Sequence, residues 1–213
     1  MELLNIKEMQ GGAGALQEQV KQIKLIILGH ANSGKTKLIS EMAGQPYISN
    51  HNTTLTGGRD EIFEDGSRAR VQFWDPCGMD HYDSLTSMYT RGSLCAVICF
   101  DLTDRDSLET VEKYMKKLEE NCSDNLVKAL VGNKSDLMQE RKVLPDEGQK
   151  LADHYNCKYF ETSAETGENV QELASYLIQQ AHKKELLFPT ISHRLLDSPI
   201  RRGGGGCMGK DTC

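Results

Sequence analysis

Residues 24–28 read Lys-Leu-Ile-Ile-Leu, a short unbroken apolar run closed by Gly29. Branched aliphatics without polar alternation, ended by glycine, predict a strand buried on both faces, as in a parallel sheet. Residues 61–63, 70–75, 95–101, 126–132 and 158–161 predict further strands, and Asp65-Gly66 predicts a hairpin joining the first two of these. Helical spacing appears between the strands. Leu108, Val111, Met115 and Leu118 share one face of a helix over 107–121, with Asp106 or Ser107 as its cap. Pro145 suits the first turn of a helix running to about Tyr155, and Val170, Leu173, Leu177, Ile178 and Ala181 form a third stripe. This alternation predicts an α/β fold, a mainly parallel six-stranded sheet with helices on both faces and a ligand at the carboxyl ends of the strands.

Composition narrows the class. The chain has 213 residues, 38% of them hydrophobic and 26% charged, as expected for one globular domain with appendages. A net charge of −6 argues against a general nucleic-acid binder. No apolar run approaches the ~20 residues of a membrane span, and residues 1–10 lack the basic-then-apolar pattern of a secretory signal. Residues 1–22 carry no catalytic-looking motif and read as an extension, partly helical at most and partly disordered. The expected organisation is this extension, a domain over 23–184 and a flexible tail over 185–213. Seven cysteines, an odd number without CxxC or CxC spacing, fit reduced thiols of the cytosol rather than a zinc site or a disulfide framework. Cys95 and Cys99 fall in the apolar run Leu-Cys-Ala-Val-Ile-Cys-Phe and read as small buried hydrophobes.

The chemistry begins at Gly29-His30-Ala31-Asn32-Ser33-Gly34-Lys35-Thr36, a complete GxxxxGK(S/T) between a strand and a helix. Its glycines let backbone N–H groups curl around an anion at the positive end of the following helix. Lys35 is placed to reach the β- and γ-phosphates, and the Thr36 hydroxyl to hold Mg²⁺. The motif predicts a bound nucleoside phosphate.

Three further motifs follow in order: Asp75-Pro76-Cys77-Gly78 closes one predicted strand, Asn133-Lys134-Ser135-Asp136 another, and Glu161-Thr162-Ser163-Ala164 the last. With them, residues 22–182 resemble the Ras superfamily of small GTPases. Trp74-Asp75, Tyr89-Thr90-Arg91-Gly92-Ser93 and Asp101-Leu102-Thr103-Asp104 resemble the Rab branch in particular. The resemblance implies a G domain of the P-loop NTPase fold that binds GTP and GDP with Mg²⁺. It implies phosphate-side contacts from Asn32, Ser33, Gly34, Lys35, Thr36 and Lys37. On the base side, Asp136 would accept from guanine N1–H and N2–H₂, and adenine would leave that carboxylate without partners. Asn133 would hold the base edge and tie the loops together, and Lys134 would lie along base and ribose. Ser163 would stand beside the Ala164 N–H that meets guanine O6, and Tyr47, eleven residues after Thr36, would pack against the base.

The switch segments depart from the family pattern. One threonine should bind Mg²⁺ when the γ-phosphate is present. Thr54 stands eighteen residues after Thr36 and is favoured, while counting back from the hairpin leaves Thr53 or Thr56 open. Thr56-Gly57-Gly58-Arg59 replaces the Gly-Val-Asp-Phe that usually follows, on a surface read by effectors. In the second switch, Asp75 can hold Mg²⁺ through water and the Gly78 N–H can sense the γ-phosphate. Met79 stands where the family places the glutamine that orients the attacking water, and a thioether cannot position it. Ala31 replaces a glycine common in fast hydrolysers; His30 and His81 are the alternative water-positioning groups, each read first as a solvated side chain. Intrinsic hydrolysis is therefore expected to be slow. Lys35, Thr54, Gly78 and the degenerate Met79 make up the expected catalytic set, and Thr36, Thr54 and Asp75 the metal set.

The tail carries the tether Gly203-Gly204-Gly205-Gly206, the pair Arg201-Arg202, and Cys207 and Cys213, spaced unlike the paired terminal cysteines of most Rabs. Prenylation of Cys213 or Cys207 stands against a tail with two free thiols, or one whose Leu-Leu-Phe and Arg-Leu-Leu runs fold back on the domain. Met1-Glu2 does not fit N-myristoylation. The leading expectation is a monomeric Rab-like switch in membrane traffic. It would work with an exchange factor, a GTPase-activating protein and effectors facing Trp74, Tyr89 and Leu55, and cycle from cytoplasm to the cytosolic face of endomembranes. A buried Trp74 is the other reading of that residue. The competing functions are a GTP-bound scaffold that never turns over and a soluble subunit of a transport complex.

Overall fold

The computed structural model describes residues 20–47, 55–76 and 89–187. Its six strands are β1 (Lys21–Gly29), β2 (Leu55–Ile62), β3 (Arg68–Trp74), β4 (Cys95–Asp101), β5 (Val127–Asn133) and β6 (Lys158–Thr162). They form one sheet in the order β2-β3-β1-β4-β5-β6. Every neighbouring pair is parallel except β2 and β3. The helices are α1 (Lys35–Met42), α2 (Arg105–Glu109), α3 (Val111–Asn121), α4 (Pro145–His154) and α5 (Val170–Leu187), with a 3₁₀ turn at Met138–Glu140. The expected α/β class, strand number and two-sided helix packing are all present. None of these helices is long and apolar enough to cross a membrane.

The unbroken apolar strands serve two cores at once. Leu25, Ile27, Val97, Cys99 and Val131 join Leu38, Ile39 and Met42 of α1 and Val170, Leu173 and Leu177 of α5 on one face. Ile26, Leu28, Ile98, Phe100 and Leu130 meet Val111, Met115 and Leu118 of α3 and Ala152 of α4 on the other. Successive residues of one strand feed opposite faces, so both must be apolar. Cys95 and Cys99 are fully buried, and burial pushes both thiols up, Cys99 to about 11. They pack as hydrophobes, as the sequence predicts.

Three local expectations are corrected. The helix expected over 107–121 is divided at Thr110, which keeps near-helical angles (φ −78°, ψ −12°) while its hydroxyl bonds the Ser107 carbonyl. The cap is Asp104, which accepts from the Asp106 N–H at 3.2 Å. Ser107 is instead buried and donates to the carbonyls of Asp101 and Asp104, which takes it out of the capping role. Strand β2 begins at Leu55, well before residue 61, with a bulge between Leu55 and Gly57. Gly57 and Gly58 carry no alternation that could announce it. The hairpin turn forms as expected: Gly66 lies at φ +80°, and Asp65 accepts from the Ser67 N–H and hydroxyl.

Tyr159 of β6 fixes how closely α4 and β5 approach it. A Cβ on Gly148 would lie 2.3 Å from the Tyr159 ring, and one on Gly132 would lie 2.9 Å from its hydroxyl. Gly148→Ala is therefore expected to destabilise the fold by roughly 1–3 kcal/mol through overpacking, read as a lower urea midpoint at an unchanged slope. An unchanged midpoint would show that α4 can lift off Tyr159 at no cost.

Candidate nucleotide site

The site lies along the carboxyl edge of the sheet because the strand register places it there. Gly29 pairs with Cys99, and Asp101, Asn133 and Thr162 stand in one row across β4, β5 and β6. Gly29 admits no side chain: a Cβ would sit 1.9 Å from the Cys99 carbonyl oxygen, and its φ is +145°. The loop then turns through Asn32 (φ +63°) and Gly34 (φ +87°) into α1, whose first N–H groups receive no side-chain cap. An uncapped helix start preceded by left-handed backbone is a concavity of N–H donors suited to phosphate. Lys35 Nζ spans the same loop, donating to the carbonyls of Gly29 (2.8 Å) and His30 (2.7 Å). Ser33 is fully buried, its hydroxyl on the His30 carbonyl at 2.9 Å. The Lys37 ammonium pairs with Glu165, so the side chain of Lys37 is committed across to the base-side loop.

Asn133 is the junction of the site. Its Nδ2 donates to the Ser33 carbonyl at 2.9 Å, and its Oδ1 accepts from the Thr162 hydroxyl (3.2 Å) and the Ala164 N–H (3.1 Å). The phosphate loop, the 133–136 loop and the 162–164 loop are thereby held by one buried amide. Lys134, at φ +68°, sends its ammonium to Asp101 at 2.5 Å. Asp101 is almost fully buried, and its other carboxylate oxygen accepts from the N–H and hydroxyl of Thr103. The exposed Asp136 accepts from the Ser163 hydroxyl at 2.6 Å, which leaves its carboxylate positioned yet open to solvent. Behind this edge, Arg141 grips Glu161 with two bonds (2.8 and 2.7 Å), and the Tyr159 hydroxyl donates to the same carboxylate. Burial alone would raise the Glu161 carboxyl, but these hydrogen bonds outweigh it and hold it below its ordinary range.

Of the residues predicted from sequence, the fold brings Asn32, Ser33, Gly34, Lys35, Thr36, Asn133, Lys134, Asp136, Ser163 and Ala164 to one sheet edge. Asp75 is fully buried just past β3, and Tyr47 is half exposed ahead of the undescribed 48–54 segment. Thr53, Thr54, Cys77, Gly78, Met79, His81, Cys207 and Cys213 lie outside the described residues, and Thr56 falls in the β2 bulge. His30 Nδ1 faces the Ala31 carbonyl at 2.9 Å, within its own loop. Trp74 is half-buried, covered by Lys24 Nζ at 4.6 Å from its ring and by the Tyr89 ring at 6.5 Å. Sequence reasoning missed the part played by Asp101, the anchor of Lys134. Its signal was an acidic residue ending an otherwise wholly apolar strand.

A glycine-lined phosphate loop at a helix start, facing a carboxylate-bearing loop at the next strand ends, defines a P-loop nucleotide-binding domain. The model of the Ras family matches residues 24–183. The chain is 35% identical to Ras-related protein RABE1e of Arabidopsis thaliana, over 71% of both chains. It is 33% identical to Ras-related protein RAB1BV of Beta vulgaris over 84% of this chain and 80% of that one. Against Ras-related protein Rab-5A of Dictyostelium discoideum it is 31% identical over 90% and 96%. The chain belongs to the Ras family of small GTPases, close to its Rab members.

Asn133→Ala removes three hydrogen bonds and strands the groups that made them. It is expected to cost about 2–4 kcal/mol of stability, and Thr162→Val, which deletes one donor, about 1 kcal/mol. Chemical denaturation of both variants checks the ratio. Equal losses would mean that Asn133 contributes no more than its bond to Thr162.

Proposed function

We propose that this chain is a Rab-like guanine-nucleotide switch of membrane traffic whose intrinsic GTP hydrolysis is slow. The observation that carries the nucleotide reading is the Asn133 junction: one amide sets the phosphate loop and the Asp136 loop at a fixed separation. In this reading Asp136 accepts from guanine N1–H and N2–H₂, the Ala164 N–H meets O6, Lys134 and Tyr47 cover the faces of the base, and Ser163 holds Asp136. The Lys35 ammonium exchanges two carbonyls for β- and γ-phosphate oxygens, and the backbone N–H groups of residues 32–37 line the phosphates.

The oxygen donors fit a hard cation. The Thr36 hydroxyl at the start of α1, the buried Asp75 carboxylate through water, and the Thr54 hydroxyl would hold Mg²⁺, which neutralises phosphate charge when bound. Thr54 is preferred over Thr56, because the count from the phosphate loop that places Tyr47 also places Thr54. Met79 offers the attacking water no useful donor or acceptor. His30, with Nδ1 2.9 Å from the Ala31 carbonyl and 3.9 Å from the Asp104 carboxylate, is read first as a solvated side chain rather than a substitute for the missing glutamine. The G domain spans 23–184 between an extension and a tail, and lipid on Cys213 or Cys207 would bring the monomer to the cytosolic face of membranes, where exchange factor, GTPase-activating protein and effectors of Rab type meet it. Trp74 and Tyr89, in contact under Lys24, supply apolar surface for the effectors.

Single-turnover hydrolysis of preloaded GTP with Mg²⁺ tests the catalytic half of this reading. The wild type is expected to run at least about tenfold slower than Met79→Gln, since one positioned hydrogen-bonding group commonly contributes 10²–10³. Equal rates would show that another group positions the water. Asp136→Ala tests base recognition: preference for GDP over IDP, which lacks the N2 amine, is expected to collapse. A preserved preference would move base recognition away from Asp136.

A further inference from the structure

The end of the molecule opposite the nucleotide edge carries a groove with no part in nucleotide binding. It lies between the β2–β3 hairpin and the last turns of α5, encloses about 320 Å³, and is lined by Ile62, Phe63, Glu64, Ile178, His182 and Leu186 among others. His182 of α5 and the hairpin form one of its walls. The His182 ring is almost fully buried, stacks on Phe63 at 3.6 Å with planes 6° apart, and lies 3.2 Å from the Asp65 carboxylate and 3.3 Å from the Ser67 hydroxyl. Two apolar side chains stand open at the groove's lips: Ile62 is 68% and Leu186 53% exposed. Ile62 and Leu186 flank the cleft and supply apolar surface to an occupant.

We propose that the groove is the docking site of this chain's own residues 188–196, Phe-Pro-Thr-Ile-Ser-His-Arg-Leu-Leu. Continuity is the first argument. Leu186 lines the groove and α5 ends at Leu187, so the segment starts at the groove's edge. Pro189 in the sequence disfavours continuation of a helix beyond that point. Length is the second argument. The α5 lining residues run from Ser175 to Leu186, a stripe of roughly 16 Å at 1.5 Å per residue, and nine extended residues span up to about 30 Å. Phe188, Ile191, Leu195 and Leu196 supply the apolar side chains.

Charge decides between the two ends of the chain. The hairpin rim presents Glu64 and Asp65 against Lys183 of α5, while Glu61 is paired with Arg59. Within residues 188–196 the one formally charged side chain is Arg194, whereas residues 1–19 carry Glu2, Glu8 and Glu18 against Lys7. The rim attracts the C-terminal segment and repels the N-terminal one. Once docked, the segment leaves only residues 197–206 as the tether before Cys207, so the body sits nearer to whatever holds that cysteine.

The test places the photo-crosslinker benzoylphenylalanine at position 191 of the full-length, GDP-bound chain and maps its adducts by mass spectrometry. The expected adducts lie in 61–65 or 175–186 of the same chain, at monomer mass. Ile62→Glu is expected to lower their yield at least about tenfold by opposing apolar contact. Glu64→Lys should lower the yield too, and Arg194→Glu in that background should restore it. Ile62 and Glu64 are exposed, so unchanged GDP affinity will confirm that these variants fold. Adducts at dimer mass would assign the groove to a second copy and overturn the proposal. Scattered adducts, or adducts in the groove indifferent to Ile62→Glu, would overturn it as well. A crosslinker at Leu4 that reaches the groove in place of position 191 would give the site to the N-terminal segment.

Discussion

Asn133 makes its contacts across large sequence separations: 100 residues to Ser33, 29 to Thr162 and 31 to Ala164. A carboxamide is suited to this role because it donates at one end and accepts twice at the other. Buried at 1% exposure, it gains from low local dielectric and would be costly if any partner were missing. The neighbouring backbone has been shaped to it. A Cβ on Gly34 would lie 2.4 Å from Asn133 Nδ2, so the amide and the phosphate loop close together only because residue 34 has no side chain. The spacing between phosphate loop and base-side loop therefore follows from two side chains, one of them a hydrogen atom.

The other site residues depend on that spacing and are held in turn. Lys134 sits in left-handed backbone, a conformation costing on the order of 1 kcal/mol or more for a non-glycine residue, and its ion pair with Asp101 offsets the cost. Asp136 is oriented by Ser163, whose hydroxyl also accepts from the N–H groups of Glu165 and Thr166. Ser163 thereby sets the Asp136 carboxylate in one orientation at the strand ends. Rigidity on this edge comes from strand ends in register, and those ends are in register because apolar side chains lock each strand between two helical layers.

Much of this is legible in the chain. The glycine pattern, the lysine and the threonine of the phosphate loop are contiguous, so their chemistry is visible without a fold. Each buried strand announces itself as an apolar run. What is not legible is set by partners distant in sequence. Asp101 reads as one of several acidic residues after a strand until β4 and β5 pair and put it beside the row of Asn133. The early start of β2 is invisible because Gly57 and Gly58 have no pattern of their own, and they join the sheet through the ladder with β3. The cap falls on Asp104 rather than on Asp106 or Ser107 for the same reason: Ser107 bonds the carbonyl of Asp101, which only the end of β4 brings near.

The two ends of the molecule are separated by a further constraint on β2. Past the bulge at Gly57, Arg59 donates to the Met42 carbonyl at 2.8 Å and the Gln171 side chain at 3.0 Å, and pairs with Glu61 at 2.5 Å. Gln171 in turn donates to the Glu41 carbonyl at 2.9 Å. One guanidinium thereby fastens β2 to the end of α1 and the start of α5. A rearrangement in the loop before Leu55 meets first a bulge, which absorbs changes in register, and then this anchor, which resists them. The hairpin tip and the groove beside α5 lie beyond it. This anchor stands between the loop before Leu55 and the groove at the far end. The docking proposed there is therefore expected to be equally strong in the GDP and GTP forms, because a ligand shifts only those contacts that differ between its two states.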